Sequence, residues 1–278
     1  MRGTYPGDVS VSTETSWPYP GTVARHAGGH GVGDVDLAAV GALIAEPSRA
    51  RILLALYDGR ALPASVLATE AGVAPSTASE HLGRLVDGGF VCVEQHGRHR
   101  YYRLRGQEIA ELLEAVAQLA PQAPVRSLRE HTRLAQMRRG RTCYDHLAGK
   151  LGVALLQGLL RDGLVVGHDG VFRPEREQLA SRSRDPIYRV TGEGRARFAT
   201  FGVDVAEDAM LAHCVDWTEQ RHHLAGSVAT ALTRRMFERA WIERAPRGRA
   251  VHVTDRGASE LVTTFAVELD GIVGQLAH

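Results

Sequence analysis

Two cysteines in this 278-residue chain stand close to histidines. Cys143 and His146 lie in the run Thr142-Cys-Tyr-Asp-His146, and Cys214 lies between His213 and the pair His222-His223. Thiolate and imidazole are the donors of zinc-type sites, and two thiols brought together can also be oxidised. The chemistry on offer is therefore metal binding or thiol redox. Thr142 to Asp145 fits a helix capping box, which predicts Cys143 in the first turn of a helix beside Arg141. Both features favour thiolate. Asp216 to Glu219 fits a second capping box, with Cys214 just outside it. If two such helix ends meet across a pseudo-twofold axis, Cys143, His146, Cys214 and His223 form a site for Zn²⁺ or another transition metal, or an oxidisable thiol pair. The alternative is that both cysteines are buried small apolar residues, the usual state of free cysteine. Cys92 reads as core filler. Beyond Cys143 and His146 nothing arranges a nucleophile with a base, so no enzyme is expected.

The elements that must position these residues occur twice. HLAGKLGVAL at 146 and HLAGSVATAL at 223 align with an offset of 77. Leu147, Leu151, Leu155 and Leu159 then fall on Leu224, Val228, Leu232 and Met236, the apolar face of a helix of about four turns. Leu164-Val165 and Trp241-Ile242 start a strand. YRVTGEGRARF (188–198) echoes VHVTDRGASEL (251–261), a strand followed by a helix with Thr191 or Thr254 as N-cap. Each unit reads as helix, strand, hairpin, strand, helix, with a longer hairpin (about 167–186) in the first copy. Ala148-Gly149 and Ala225-Gly226 read as close helix packing.

Upstream, residues 62–105 carry a second pattern. Val66, Leu67 and Ala71 mark a short helix. Gly72 ends it, and Pro75 opens the next helix at the position where its missing N–H is harmless. Ala78, Leu82 and Leu85 form that helix's buried face, and Gly88-Gly89 stop it. This is a helix-turn-helix. Phe90 to Val93 and Tyr101 to Leu104 then make a hairpin about His96-Gly97, the wing of a winged helix. The second helix of such a motif enters the DNA major groove. Its outward residues Ser76, Thr77, Ser79, Glu80 and Arg84 suit phosphate and base edges, with Glu80 able to accept from cytosine or to hold an arginine in place. The wing tip adds Arg98, His99 and Arg100. Four of the eight arginines between 34 and 120 lie between 98 and 105, a local basic patch.

The run GVAPSTASEHLGRLVDGGFV…GRHRYYRL resembles the arsenic-repressor (ArsR) family of winged-helix regulators, over about residues 36–120. The resemblance implies a homodimer built on the first helix and the helix after the wing. It also implies a palindromic operator and release of double-stranded DNA by an effector. Ser76, Thr77, Ser79 and His81 match recognition-helix positions, and Arg98 and Arg100 match the wing. Two familiar metal sites of that family are missing. LPASVLATEAG holds no Cys-x-Cys pair before the turn, and EIAELLEAVAQLA after the wing holds no histidine.

Length and composition fit this organisation. A chain of this size suggests more than one domain. Net charge is +1, so nucleic-acid binding needs a local patch rather than a global field. Three cysteines are too few for a disulfide framework, and no signal peptide or membrane span is evident, so a cytoplasmic protein is expected. The expected fold class is mainly α with small β wings (α+β), an N-terminal winged helix-turn-helix followed by a C-terminal duplicated winged-helix-like unit. The expected domains are a disordered arm (1–33), the winged helix (34–120), an arginine-rich linker helix (121–141) and two repeats (142–203 and 204–278). The expected function is a dimeric DNA-binding transcriptional regulator, a repressor responding to a metal, redox or small-molecule effector. The alternative is a winged-helix protein-interaction scaffold.

Overall fold

Asp36 accepts the amide of Ala39 at 2.9 Å and so caps α1 (Leu37–Ala45). The computed structural model describes residues 35–273 except 98, 122–127, 176–182 and 247. The predicted arm at 1–33 and Arg98 of the wing lie outside the described residues. Glu46 caps α2 (Pro47–Leu56), with proline at the first helical position. Buried Arg49 donates to the carbonyls of Ala42 and Leu43 and so fastens α2 to α1. A short strand β1 (Leu62–Pro63) leads into α3 (Ala64–Ala71), the turn at Gly72, and α4 (Pro75–Asp87). β2 (Val91–His96) and β3 (His99–Leu104) form the wing, and the sheet order is β1-β3-β2. α5 (Gln107–Leu119) follows. Ile52, Leu53, Leu56, Leu67, Ala71, Leu82, Leu85, Phe90 and Leu104 make the core. The periodicity and turn signals of 62–105 thus give a winged helix-turn-helix.

The arginine-rich helix α6 (Leu128–Arg139) ends with Arg138 and Arg139 in its last turn, favourable to its dipole. The first repeat then runs β4 (Arg141–Cys143), β5 (His146–Ala148), α7 (Gly149–Arg161), β6 (Val165–Gly167), β7 (Ser183–Val190) and α8 (Gly192–Phe201). The second runs β8 (Met210–Asp216), β9 (Arg221–Ala225), α9 (Gly226–Glu238), β10 (Ile242–Arg244), β11 (Val251–Val253) and α10 (Asp255–Phe265). β6-β7-β8-β9 form one antiparallel sheet across the two repeats. Leu151, Leu159, Phe198, Phe201, Met236, Trp241 and Phe265, drawn from both, share one core. From Asp36 onward the chain packs as one compact unit.

Two local readings are corrected. Neither predicted capping box caps a helix. Thr142 to Asp145 is the bend of the β4–β5 hairpin, with Tyr144 at φ 59°. Asp216 to Glu219 is the bend of β8–β9, where Asp216 Oδ1 accepts the amides of Thr218 (2.9 Å) and Glu219 (3.2 Å). The same side chains can close a turn or cap a helix, and here strand pairing decides. The repeated His-Leu-Ala-Gly is accordingly a strand running into a helix rather than a helix seam. Gly149 (φ 70°) and Gly226 (φ 78°) make that junction in the left-handed region, which only glycine enters freely.

The helix–wing–helix arrangement of the winged helix occurs three times among the described residues. After α4, α7 and α9 the amides of Phe90, Leu164 and Trp241 each bond the carbonyl five residues back, all at 2.9 Å. Their own carbonyls then accept the amides of Arg105 (3.0 Å), Thr191 (3.1 Å) and Thr254 (3.0 Å). Thr191 and Thr254 cap α8 and α10 through the amides of Gly194 and Gly257, as their sequence predicts. A Cβ at Gly194 would stand 2.0 Å from the Leu164 carbonyl oxygen, whereas one at Gly192 meets nothing within 4 Å. Gly194→Ala should therefore destabilise the fold by about 1–3 kcal/mol, while Gly192→Ala leaves it unchanged or slightly more stable. Urea unfolding of the two variants checks this.

Candidate metal centre and nucleic-acid interface

The two hairpins place a cysteine opposite a histidine in each. Cys143 pairs with His146 across β4–β5, and Cys214 with His223 across β8–β9. His146 and His223 are equivalents at the offset of 77. The cysteines are equivalent in register but not in sequence spacing, because the second hairpin is longer. All four side chains are buried, and their donor atoms lie within 4.8 Å of one another. Tetrahedral zinc ligands stand about 3.3–3.8 Å apart, from the usual bond lengths, so a small contraction closes the set. The predicted quartet is thus assembled, though on hairpins.

Asp145 orients one imidazole, and Asp216 stands near the other. His146 Nδ1 lies 3.0 Å from Asp145 Oδ1, and His223 Nδ1 lies 3.7 Å from Asp216 Oδ2, beyond hydrogen-bond reach. The Nε2 atoms of both rings, and Nδ1 of His223, are buried without a hydrogen-bond partner among the described residues. A carboxylate behind a histidine whose other nitrogen is unspent is the usual outer shell of a metal-ligating imidazole. Each hairpin is held by the other repeat. Asp145 Oδ2 accepts from Thr230 of α9 (2.9 Å), and Thr233 Oγ1 of α9 accepts the Leu147 amide (3.2 Å). Asp216 accepts the Gly149 amide (2.7 Å) and the Arg141 guanidinium (2.9 Å), with Arg141 and Asp216 1% and 0% exposed. Arg141 also lies over the Trp217 ring.

Side chains alternate along β8 and β9, so His213 and His222 face away from the quartet. They stack on each other at 4.3 Å, beside His168 and Tyr188, whose hydroxyl lies 2.7 Å from His222 Nδ1. Burial pushes His213 down to about 3, aided by His222.

On the winged helix, Ser76 and Ser79 are exposed on α4 and Thr77 is half-buried. Glu80 holds Arg84 in an exposed ion pair at 2.7 Å, the second of the two roles its sequence position allows. His81 turns inward, its Nε2 3.5 Å from Glu46, and stands off the outer face. His99 and Arg100 are exposed at the wing, and Arg103 is tied to Glu94.

Residues 44–94 match the helix-turn-helix domain family. A Bacillus subtilis protein described as the uncharacterized HTH-type transcriptional regulator YdfF is 38% identical over 227 residues, covering 80% of this chain and 93% of that protein. The chain belongs to the helix-turn-helix transcriptional regulators. The match to YdfF is too long for the winged helix alone and extends into the repeats. The Mycobacterium tuberculosis regulator CmtR is 37% identical over 83 residues, 30% of this chain and 70% of its own. A solved fragment of a possible transcriptional regulatory protein from Mycobacterium bovis is 37% identical, covering 30% of this chain and 87% of that one, with a TM-score of 0.27. Among the regulator's described residues no helix is long and apolar enough to cross a membrane.

Three residues near the regulator's centre escape sequence reading. Tyr57, at the end of α2, places its hydroxyl 3.4 Å from Cys143 Sγ and donates to Glu114 Oε2 of α5 at 2.7 Å. Arg249, before β11, lies over the Tyr57 ring. A signal was present for Glu114 alone, as an acid on the face of α5 that carries buried Ala110 and Leu113.

The quartet's electrostatics follow from this packing. A hydrogen bond with the reduced Cys214 thiol holds the Cys143 thiol well below its ordinary value; burial opposes this, and His146 adds to it. Burial alone would lower His146, but the Cys143 thiolate and Asp145 outweigh it and push it up to about 9. The raised His146 stabilises the fold fully below its unfolded value of 6.5 and loses that contribution as pH rises through about 9. The lowered Cys143 stabilises above the ordinary thiol value and loses its contribution as pH falls through the depressed one. In chelator-treated protein the two contributions therefore oppose each other between pH 6.5 and about 9, and the thermal midpoint should change little there. His146→Gln removes the falling contribution and leaves the rising one, so its midpoint should climb with pH over that window, as differential scanning fluorimetry would show.

Proposed function

We propose that this regulator is a homodimeric repressor, released from a palindromic operator by a thiophilic divalent cation of the zinc class held by Cys143, His146, Cys214 and His223. The convergence of two buried cysteines and two buried histidines, whose Nε2 atoms have no hydrogen-bond partner among the described residues, carries the reading. A closed Cys₂His₂ set with no open position suits a cation that binds and structures rather than one that catalyses. When bound, the cation would take up thiolate charge in a buried place and fix the two hairpins to each other. Cys143 also belongs to the core of the winged helix, so the site adjoins the DNA-binding part. Exposed Leu37 (74%) and Leu119 (79%), on α1 and α5, support a dimer through the first helix and the helix after the wing. Ser76, Thr77, Ser79, Glu80 and Arg84 would meet the groove, and Arg98, His99 and Arg100 the backbone beside it. His81 would support α4 from within.

Fluorescence anisotropy on DNA from the chain's own promoter tests this. Zn²⁺ should weaken binding by roughly 5–150-fold, and Cys143→Ser with Cys214→Ser should abolish the response while leaving metal-free binding intact. A wild-type affinity indifferent to Zn²⁺ but lost on mild oxidation would assign the cysteines to thiol redox instead. Arg100→Ala should weaken binding to all sequences alike and lower the slope of log affinity against log salt by about one. A loss confined to one operator sequence would instead make Arg100 a base reader.

A further inference from the structure

Tyr57 is 2% exposed and closes α2, one of the helices that support α4. Its hydroxyl touches two things, Cys143 Sγ at 3.4 Å and Glu114 Oε2 at 2.7 Å. Glu114 is itself 2% exposed on α5, and its Oε1 is buried with no hydrogen-bond partner among the described residues. A carboxyl group inside a small apolar core is costly to stability, and an apolar residue of similar size would serve packing better. The wing of the second repeat grips the same point. Arg249 lies 4.2 Å above the Tyr57 ring and donates to the Thr142 carbonyl at 3.5 Å, beside Cys143. Just below, buried Asp58 is paired with Arg60 and, at 3.3 Å, with Arg244 of β10.

We propose that Tyr57 and Glu114 are positioning residues that transmit occupancy of the Cys143 site to α5. The inference rests on the metal-responsive reading above. Ligation draws a cysteine sulfur to about 2.3 Å from its cation. A sulfur that gives its charge to a cation accepts less strongly from the Tyr57 hydroxyl than a free thiolate does, so ligation alters that contact. The hydroxyl carries one hydrogen and faces two acceptors, so a change at sulfur changes what Glu114 receives. Glu114 has an unpartnered oxygen and thus a second arrangement to adopt. It lies on the helix whose exposed Val116 and Leu119 form the proposed dimer face, and the spacing of the two recognition helices depends on that face. By linkage, operator binding would shift metal affinity by the same factor.

The test uses the full chain with Co²⁺ as a spectroscopic stand-in for zinc, and the promoter DNA as ligand. Wild type should show thiolate-to-cobalt absorption, and its DNA affinity should change with metal. Tyr57→Phe should keep that absorption and bind Co²⁺ within about threefold of wild type, while its DNA affinity changes less than twofold on adding metal. Glu114→Gln, which can still accept from Tyr57, should retain part of the response, and Glu114→Leu should lose it. A merely structural role would lower stability and both affinities without separating them. If Tyr57→Phe responds to metal as fully as wild type, the transmission proposal is wrong and the metal site stands. If wild type neither binds Co²⁺ nor responds, the metal reading fails and the transmission proposal fails with it.

Discussion

The buried ion pair between Arg141 and Asp216 fixes the two hairpins of the C-terminal half against each other. Arg141 begins the first hairpin and Asp216 sits at the bend of the second. Asp216 takes the Arg141 guanidinium, the Gly149 amide and the Thr218 hydroxyl, and it stands behind His223. Burial raises a carboxylate's pKa, yet Arg141 and His223 hold this one well below the ordinary range. Removing one partner of such a pair leaves an uncompensated buried charge, which is why the arrangement is all-or-none. The same carboxylate thus fixes one hairpin against the other, starts α7, and stands near an imidazole of the quartet.

The quartet lies between two different kinds of packing. Its histidines are held by the repeats, through Asp145, Thr230 and Asp216. Cys143 faces the other way, into the core of the winged helix, where it meets Tyr57. One residue therefore belongs to both the donor set and the DNA-binding part. The Tyr57 hydroxyl, at the end of α2, stands 3.4 Å from Cys143 Sγ. The position is also unlike the metal sites associated with ArsR-type winged helices, whose sequence signatures are missing here.

The threefold helix–wing–helix pattern shows how one framework serves different ends. α4 keeps a polar outer face with Ser76, Ser79, Glu80 and Arg84. α7 starts at the same point in its unit but is buried over most of its surface, with Leu151, Val153, Leu155, Leu156 and Leu159 in the interior. The backbone bonds at the helix end are the same in both, so the difference lies in side chains alone. A helix that reads DNA needs a solvated face, and a helix that supports a buried site needs none.

Sequence alone determined what depends on neighbours along the chain. Proline at the start of α4, glycine after α3, the apolar face of Ala78, Leu82 and Leu85, and the threonine caps of α8 and α10 are local physics and are legible as such. The offset of 77 likewise made His146 and His223 equivalent before any fold was known, and the donor types named the chemistry. Tertiary structure decided the rest. Thr142 to Asp145 and Asp216 to Glu219 satisfy the pattern of a helix cap and of a hairpin bend equally well, because a short polar side chain can accept a backbone amide in either. Which one forms depends on a strand partner, and that is a non-local matter. The register of those strands brought Cys214 level with His223 across an unequal loop. The packing of α2 and α5 on the β4–β5 hairpin set Tyr57 and Glu114 against Cys143. No spacing along one chain records a contact between α2, α5 and a hairpin, since that contact exists only once three separate segments have been packed together.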